Sequence, residues 1–321
     1  MKNLKYFFLL VSIALTAACG QKSSGLQDGA VAPDTVLYEN GFKFLSKNQF
    51  IKARLAFQTL INTYPDSEFT PVAFLLTADS YYDESGTENL LQAEAQYKDF
   101  IIFYPTHEMA DDAQMKIVAV NIRLMRAPDR DPTYSRKAER ELTKLLADYP
   151  DSELAPTAAE FEREVHENLA MGIQQKAGFY FDKKSFLAAE SRFKEVMDKY
   201  KSFSRMDETL YRLARSLEEL GRVEEASVYY HHLAEGYPFS EYFGRSINKL
   251  ELFEKPVPEV DVALAESNAA NYSVEGFSFM EPIKDVWRTF AGRPDPYELA
   301  RKRAEERRLA EQNKKGDNGG Q

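Results

Sequence analysis

Four histidines and one cysteine are the side chains in this 321-residue sequence best suited to metal, nucleophilic or proton-transfer chemistry. The histidines are His107, His166, His231 and His232, and none sits in an H-E-x-x-H spacing or a comparable ligand pattern. His166 and Glu167 lack the second histidine of a zincin. His231 and His232 are adjacent on a helix, so their rings face different directions and cannot chelate together. There is no G-x-S-x-G and no phosphate loop. The single cysteine excludes an intrachain disulfide and a cysteine-based zinc site. Carboxylates are abundant, but charge-rich helices carry solvated carboxylates everywhere. These residues point to a protein that is not an enzyme and needs no cofactor or metal. The net charge of −10 argues against nucleic acid, whose binders present a basic face.

Cys19 finds its explanation in its surroundings. The opening stretch "MKNLKYFFLLVSIALTAACG" has Lys2 and Lys5, an apolar run from Tyr6 to Leu15, and then the small residues Thr16-Ala17-Ala18 before Cys19. That is the pattern of a secretory signal peptide, and the run is short for a bilayer span. A cysteine directly after small residues resembles a bacterial lipobox. The expected signal peptide is 1–18, with Cys19 lipidated (palmitate among its chains) as the mature N-terminus. Removing Lys2 and Lys5 takes the charge to −12. Gly20 follows the cysteine, where the lipoprotein resemblance implies that Asp would retain the protein at the inner membrane; the expected site is therefore the outer membrane, on its periplasmic face. Residues 19–34, rich in Gly, Ser and Ala, read as a tether reaching ~20 Å.

The elements that follow are legible from a repeated loop. "YPDSE" occurs at Tyr64–Glu68 and again at Tyr149–Glu153. With the loop tyrosine as zero, five copies align: Tyr64, Tyr104, Tyr149, a degenerate Tyr200 in "YKSFS", and Tyr237. Eleven residues earlier stands an alanine each time: Ala53, Ala93, Ala138, Ala189 and Ala226. Seven earlier is large and apolar: Phe57, Tyr97, Leu142, Phe193 and Tyr230. Four earlier are Leu60, Phe100, Leu145, Val196 and Leu233. Offsets of 0, 4, 7 and 11 share one helical face. Each copy therefore ends in an amphipathic helix whose alanine admits a close neighbour. Proline after the tyrosine stops that helix, and Ser67, Ser152 and Ser240 are placed to cap the next one. First helices such as "TVLYENGFKFLSK" and "TLYRLARSLEELG" lie between the loops, and Gly221 ends the latter. A long first helix is expected from about Thr157 to Phe181, and "RAPDRDPTYS" is an enlarged connection.

The fold class that follows is all-α, a superhelical array of about five tetratricopeptide-like helix pairs over residues 35–253. The spacings of 40, 45, 51 and 37 residues exceed the standard unit, so helices and loops are longer. Beyond Phe253 the register is lost. Residues 254–296 read as a linker and an aromatic segment, "FSFMEPIKDVWRTFAG", that docks either on the array or on a partner. Residues 297–321 read as a polar helix and a disordered tail.

Two stretches carry a family resemblance: "DRDPTYSRKAERELTKLLADYPDSELAPTA" (Asp129–Ala158) and "LAMGIQQKAGFYFDKKSFLAAESRFKEVMDKY" (Leu169–Tyr200). Together with the lipobox they resemble the BamD (ComL/YfiO) family of outer-membrane assembly lipoproteins. The degenerate "YKSF" loop and the longer tail depart from the family pattern. The resemblance implies a scaffold in the Bam complex that holds a periplasmic POTRA domain of a BamA-like barrel protein. It also implies that the scaffold receives unfolded outer-membrane β-barrel proteins and works with other Bam lipoproteins. Arg192 matches a family position at the BamA contact, where a guanidinium suits a carboxylate pair; otherwise it is an exposed helix arginine. For the substrate groove, the first helices of repeats one and two offer Tyr38, Phe42, Phe74, Tyr81 and Tyr82. Competing readings are a repeat lipoprotein for type IV pilus assembly, which would show uniform 34-residue units, and a Tol–Pal or peptidoglycan coordinator, which would carry an N-terminal coiled coil.

Overall fold

The computed structural model describes residues 32–272. The signal peptide, Cys19 and most of the tether lie outside the described residues, as do the aromatic segment and the polar C-terminal stretch. Among the described residues the chain is all helix: α1 (Pro33–Leu45), α2 (Phe50–Thr63), α3 (Thr70–Glu84), α4 (Thr87–Phe103), α5 (Ala110–Leu124), α6 (Thr133–Asp148), α7 (Ala155–Asp182), α8 (Phe186–Lys199), α9 (Met206–Glu219), α10 (Val223–Gly236), α11 (Phe243–Leu252) and α12 (Val262–Tyr272). Each helix from α1 to α11 packs on the next, which gives five consecutive pairs and a closing helix. The first helix begins at Pro33, so Pro33 and Asp34 belong to the array and not to the tether.

The seam predicted from the alanines is present. Ala53, Ala93, Ala138, Ala189 and Ala226 are all 0% exposed, as are the five large residues four positions after them. A methyl group there lets the paired helix approach, and each adjacent Phe, Tyr or Leu fills the space beside it. Full burial of each such Phe or Leu contributes about 1.5–3 kcal/mol. In α1 the approach is closer still: a Cβ on Gly41 would stand 2.4 Å from the Phe57 ring.

The repeated loop is a clasp. Tyr64, Tyr104, Tyr149, Tyr200 and Tyr237 all leave the helix with φ between −134° and −127° and ψ between 56° and 64°. Each donates its N–H to the carbonyl four residues back. Tyr200 does this although Lys201 follows it, so proline is not what sets the geometry in that copy. Three residues on, Ser67, Ser152 and Ser240 accept from the N–H of Phe69, Leu154 and Tyr242 at 3.1–3.2 Å. These are the residues just before the next helix, not amides inside its first turn. The same hydroxyls donate to Asp34, Asp111 and Asp207 at 2.5–2.7 Å, each in the first turn of that repeat's own first helix. In the degenerate copy Ser204 donates to Glu167.

Two segments depart from the sequence expectation. Residues 262–272, read as linker, form α12, which lies against the end of α10: Asn268 Nδ2 donates to the Gly236 carbonyl at 2.9 Å. The long helix α7 runs Ala155–Asp182, one or two residues beyond each expected end.

Candidate interaction surface

The histidines are accounted for by packing. His107 takes the serine's place in the second loop, where its Nδ1 accepts from the Met109 N–H at 3.2 Å and its ring meets Phe100 edge-on. His166 lies against Glu139 (3.3 Å) and Tyr200. His231 faces Glu235 at 3.9 Å, and His232 meets Tyr229 edge-on. Among the described residues no group of three or more His, Cys, Asp or Glu is placed to hold a metal. No described helix is long and apolar enough to cross a membrane.

The five aromatics proposed for a groove separate into different environments. Tyr38 is 2% exposed and stacks on Phe69 with centroids 4.6 Å apart. Tyr82 is 7% exposed, with the Arg123 guanidinium 4.8 Å from its ring, and burial raises its pKa. Both are core, which corrects the expectation that they line a groove. Tyr38 is covered by Phe69 just before α3, and Tyr82 by Arg123 of α5, so little of either ring reaches solvent. Phe42 is exposed on α1. Phe74 is half-buried against Phe103 and Tyr104, at 5.7 and 5.8 Å.

Tyr81 alone of the five lines a shallow groove of about 370 Å³ between α2 and α4, over α3. Arg54 lies 4.2 Å from the Tyr81 ring and is held by Glu84 at 2.7 Å. The outer wall is Ile51 and Leu55, one helical turn apart and 73% and 69% exposed. Sequence reasoning missed these two. They stand 13 and 9 residues before the loop tyrosine, off the core face, and their signal is apolar character where a solvated position is expected.

A second groove, about 1080 Å³, runs between α6 and α8 with α7 as its floor. One end is closed by the enlarged connection 125–132. Gly172 permits this: a Cβ there would stand 2.4 Å from the Pro128 carbonyl oxygen. Asn168 secures it, donating to the Arg126 carbonyl at 3.0 Å and accepting from Ser135 at 2.8 Å. Tyr200 stands at the other end, its pKa pushed up to about 12 by burial and then by Glu139 and Glu195.

Arg192 is exposed on α8, with Nη1 2.8 Å from Glu195. Glu195 also takes Lys199 at 2.9 Å. Burial would raise the Glu195 pKa, but hydrogen bonds from Lys199 and Arg192 outweigh it and hold the carboxyl below its usual range. A partner carboxylate approaching Arg192 would therefore compete with Glu195. On the neighbouring pair Arg222 ties α8 to α10, with Nη1 2.7 Å from Glu190. Phe179 and Leu187 are also exposed, at 58% and 69%, on the adjoining ends of α7 and α8.

Comparison with known proteins gives a consistent result. The family profile YfiO, described as outer membrane lipoprotein, matches residues 31–233. A protein of Rickettsia prowazekii named outer membrane protein assembly factor BamD is 28% identical over 244 residues, covering 76% of this chain and 95% of its own length. Proteins of the same name from Neisseria gonorrhoeae and Caulobacter vibrioides are 22% and 25% identical, covering 70% and 68% of this chain and 88% and 70% of their own lengths.

Proposed function

The chain belongs to the YfiO family of outer membrane lipoproteins, and from that premise we propose that it is an outer-membrane protein assembly factor. The observation that carries this reading is the similarity to three assembly factors along most of their length, one of them over 95% of it. The repeat array suits such a role because a stack of helix pairs presents long grooves and exposed ridges without catalytic groups.

In finer terms, the chain acts as a scaffold of the Bam complex. Lipid on Cys19 anchors it to the periplasmic face of the outer membrane. The exposed Arg192, with its guanidinium already engaged by one carboxylate, meets an acidic residue on the POTRA domain of a BamA-like barrel protein. Unfolded outer-membrane proteins bind along the groove walled by Ile51 and Leu55, with Tyr81 in its floor and Phe42 and Phe74 as flanking apolar surface. Other Bam lipoproteins complete the assembly.

The test is capture of the native lipoprotein from detergent-solubilised membranes, followed by identification of what accompanies it. A BamA-like barrel protein is expected. Recovery of pilus or peptidoglycan machinery alone would overturn the reading. Arg192→Glu should weaken recovery of the barrel protein; unchanged recovery would remove Arg192 from the contact.

A further inference from the structure

The last described helix turns back on the array. Helix α12 is seated at the end of α10, where a Cβ on Gly236 would stand 2.9 Å from a Leu264 methyl carbon and 3.0 Å from Asn268 Nδ2. Asn268 donates to the Gly236 carbonyl at 2.9 Å, and the Asp261 N–H donates to the Glu235 carbonyl at 3.0 Å. In the other four copies the residue before the loop tyrosine is Thr63, Phe103, Asp148 or Lys199, so only the fifth carries the glycine that this seat needs. Three residues past Asn268, Asn271 lines a cavity of about 530 Å³ together with the start of α7 and the connection 200–203 after α8. Helix α12 therefore runs from repeat five toward repeat four, against the direction of the array. That cavity is continuous with the 1080 Å³ groove between α6 and α8: Glu162, His166, Lys199 and Tyr200 line both. The chain thus leaves Tyr272 beside the Tyr200 end of the groove.

The sequence after Tyr272 fits that path. Glu162 and Lys176 of α7 bound the groove floor, and their separation along the helix gives it a length of ~21 Å. Residues 273–282 span up to ~33 Å when extended. The apolar residues Ile283, Val286, Trp287 and Phe290, spaced to share one helical face, can therefore reach every part of the groove. Ile173 on the floor and Pro128 and Pro132 at the far end offer them apolar surface. The rest of the lining carries both signs of charge, as does segment 273–292, so charge neither selects nor opposes the docking. Connectivity selects it. A segment joined to the groove's mouth by so short a stretch meets it at an effective concentration on the order of millimolar. A partner of equal affinity would have to be present at that level to compete. We propose that residues 277–290 occupy the groove between α6 and α8, with Trp287 against Ile173 and the far-end prolines, so that the chain itself covers this surface. Arg192 does not line the groove and stays accessible. Neither the lipid nor any partner is needed for this contact.

Trp287 is the only tryptophan of the chain, so its docking can be read in the full-length lipoprotein purified in non-ionic detergent. A photo-reactive residue at position 143, exposed on the α6 wall, should cross-link within one chain to residues 277–290, with a yield that dilution leaves unchanged. Trp287→Ser with Phe290→Ser, which leave the array's own sequence intact, should abolish that cross-link. Ile173→Glu should shift the Trp287 emission to the red, whereas Leu55→Glu, in the groove between α2 and α4, should not; both are checked for unchanged thermal unfolding. The tail variant carries the test if Ile173→Glu fails to fold. Absence of a cross-link to 277–290 would overturn the proposal, as would its persistence in the tail variant. A cross-link joining two chains would also overturn it, because the groove would then hold a second copy. Unchanged emission in Ile173→Glu, or an equal red shift in both array variants, would count against it in the same way.

Discussion

Replacing Ser240 by alanine tests the clasp in the last of its three serine copies. The Ser240 hydroxyl donates to Asp207 at 2.6 Å and accepts from the Tyr242 N–H at 3.1 Å. A hydrogen bond to a charged group contributes about 1.5–3 kcal/mol and one between neutral groups about 0.5–1.5 kcal/mol. Ser240 is only half-buried, so the low ends apply and the expected loss is about 2 kcal/mol. The loss should be local, since neighbouring repeats couple only through their interfaces. Native-state hydrogen exchange of the α11 amides reads it directly. Those amides should exchange about thirtyfold faster, at 1.4 kcal/mol per factor of ten. Amides of α2 and α4 should be unchanged. A double-mutant cycle with Asp207→Ala isolates the shared bond, and a coupling energy of about 1 kcal/mol or more is expected. Unchanged protection of α11 would refute the clasp as a stabilising device, as would additive effects of the two substitutions.

The remaining predictions follow the same structural reasoning. Ala138→Leu forces extra methylenes into a 0% exposed seam and should cost about 1–3 kcal/mol in chemical denaturation, whereas the same change at exposed Ala147 should be near neutral. Asp83 keeps part of its surface in water, yet desolvation and then Asp79 push its pKa up to about 6, against the opposing charges of Lys116 and Arg123. A carboxyl raised in the fold favours the folded state most below its unfolded pKa and loses that advantage as pH rises through the folded one. Asp83→Asn should therefore match the parent near pH ~4 and exceed it in thermal stability near pH ~7; a gain of equal size at both would contradict the assignment. Cys19→Ser should move the protein from the membrane to the soluble fraction on fractionation; continued membrane retention would count against lipidation.

Local periodicity made the array legible. The five alanines and the five tyrosines share one register, and that register alone fixes which face of each second helix is buried. The partner of the loop serine was not legible, because its acid lies 33 to 41 residues earlier and only the folded repeat brings the two together. Helix α12 escaped notice because "VALAESNAANY" repeats no offset of the array and has only a weak apolar face. Tyr38 and Tyr82 were misplaced for a related reason. Periodicity assigns a residue to a face, but whether that face is covered depends on a third helix, here one contributed by a neighbouring pair. Ile51 and Leu55 show the converse, apolar residues left uncovered because, among the described residues, no further element crosses α2.

Each serine clasp joins the beginning of a repeat to the loop that finishes it, so the first, third and fifth units are fastened to themselves as well as to a neighbour. Extra residues between its two helices, as at 125–132, fold against α7 at Gly172 and Asn168, while Ser152 still reaches Asp111. Such a unit can lengthen at its internal connection and still close on itself. A stretch such as 110–154 is accordingly a natural cassette for transplanting between arrays of this kind.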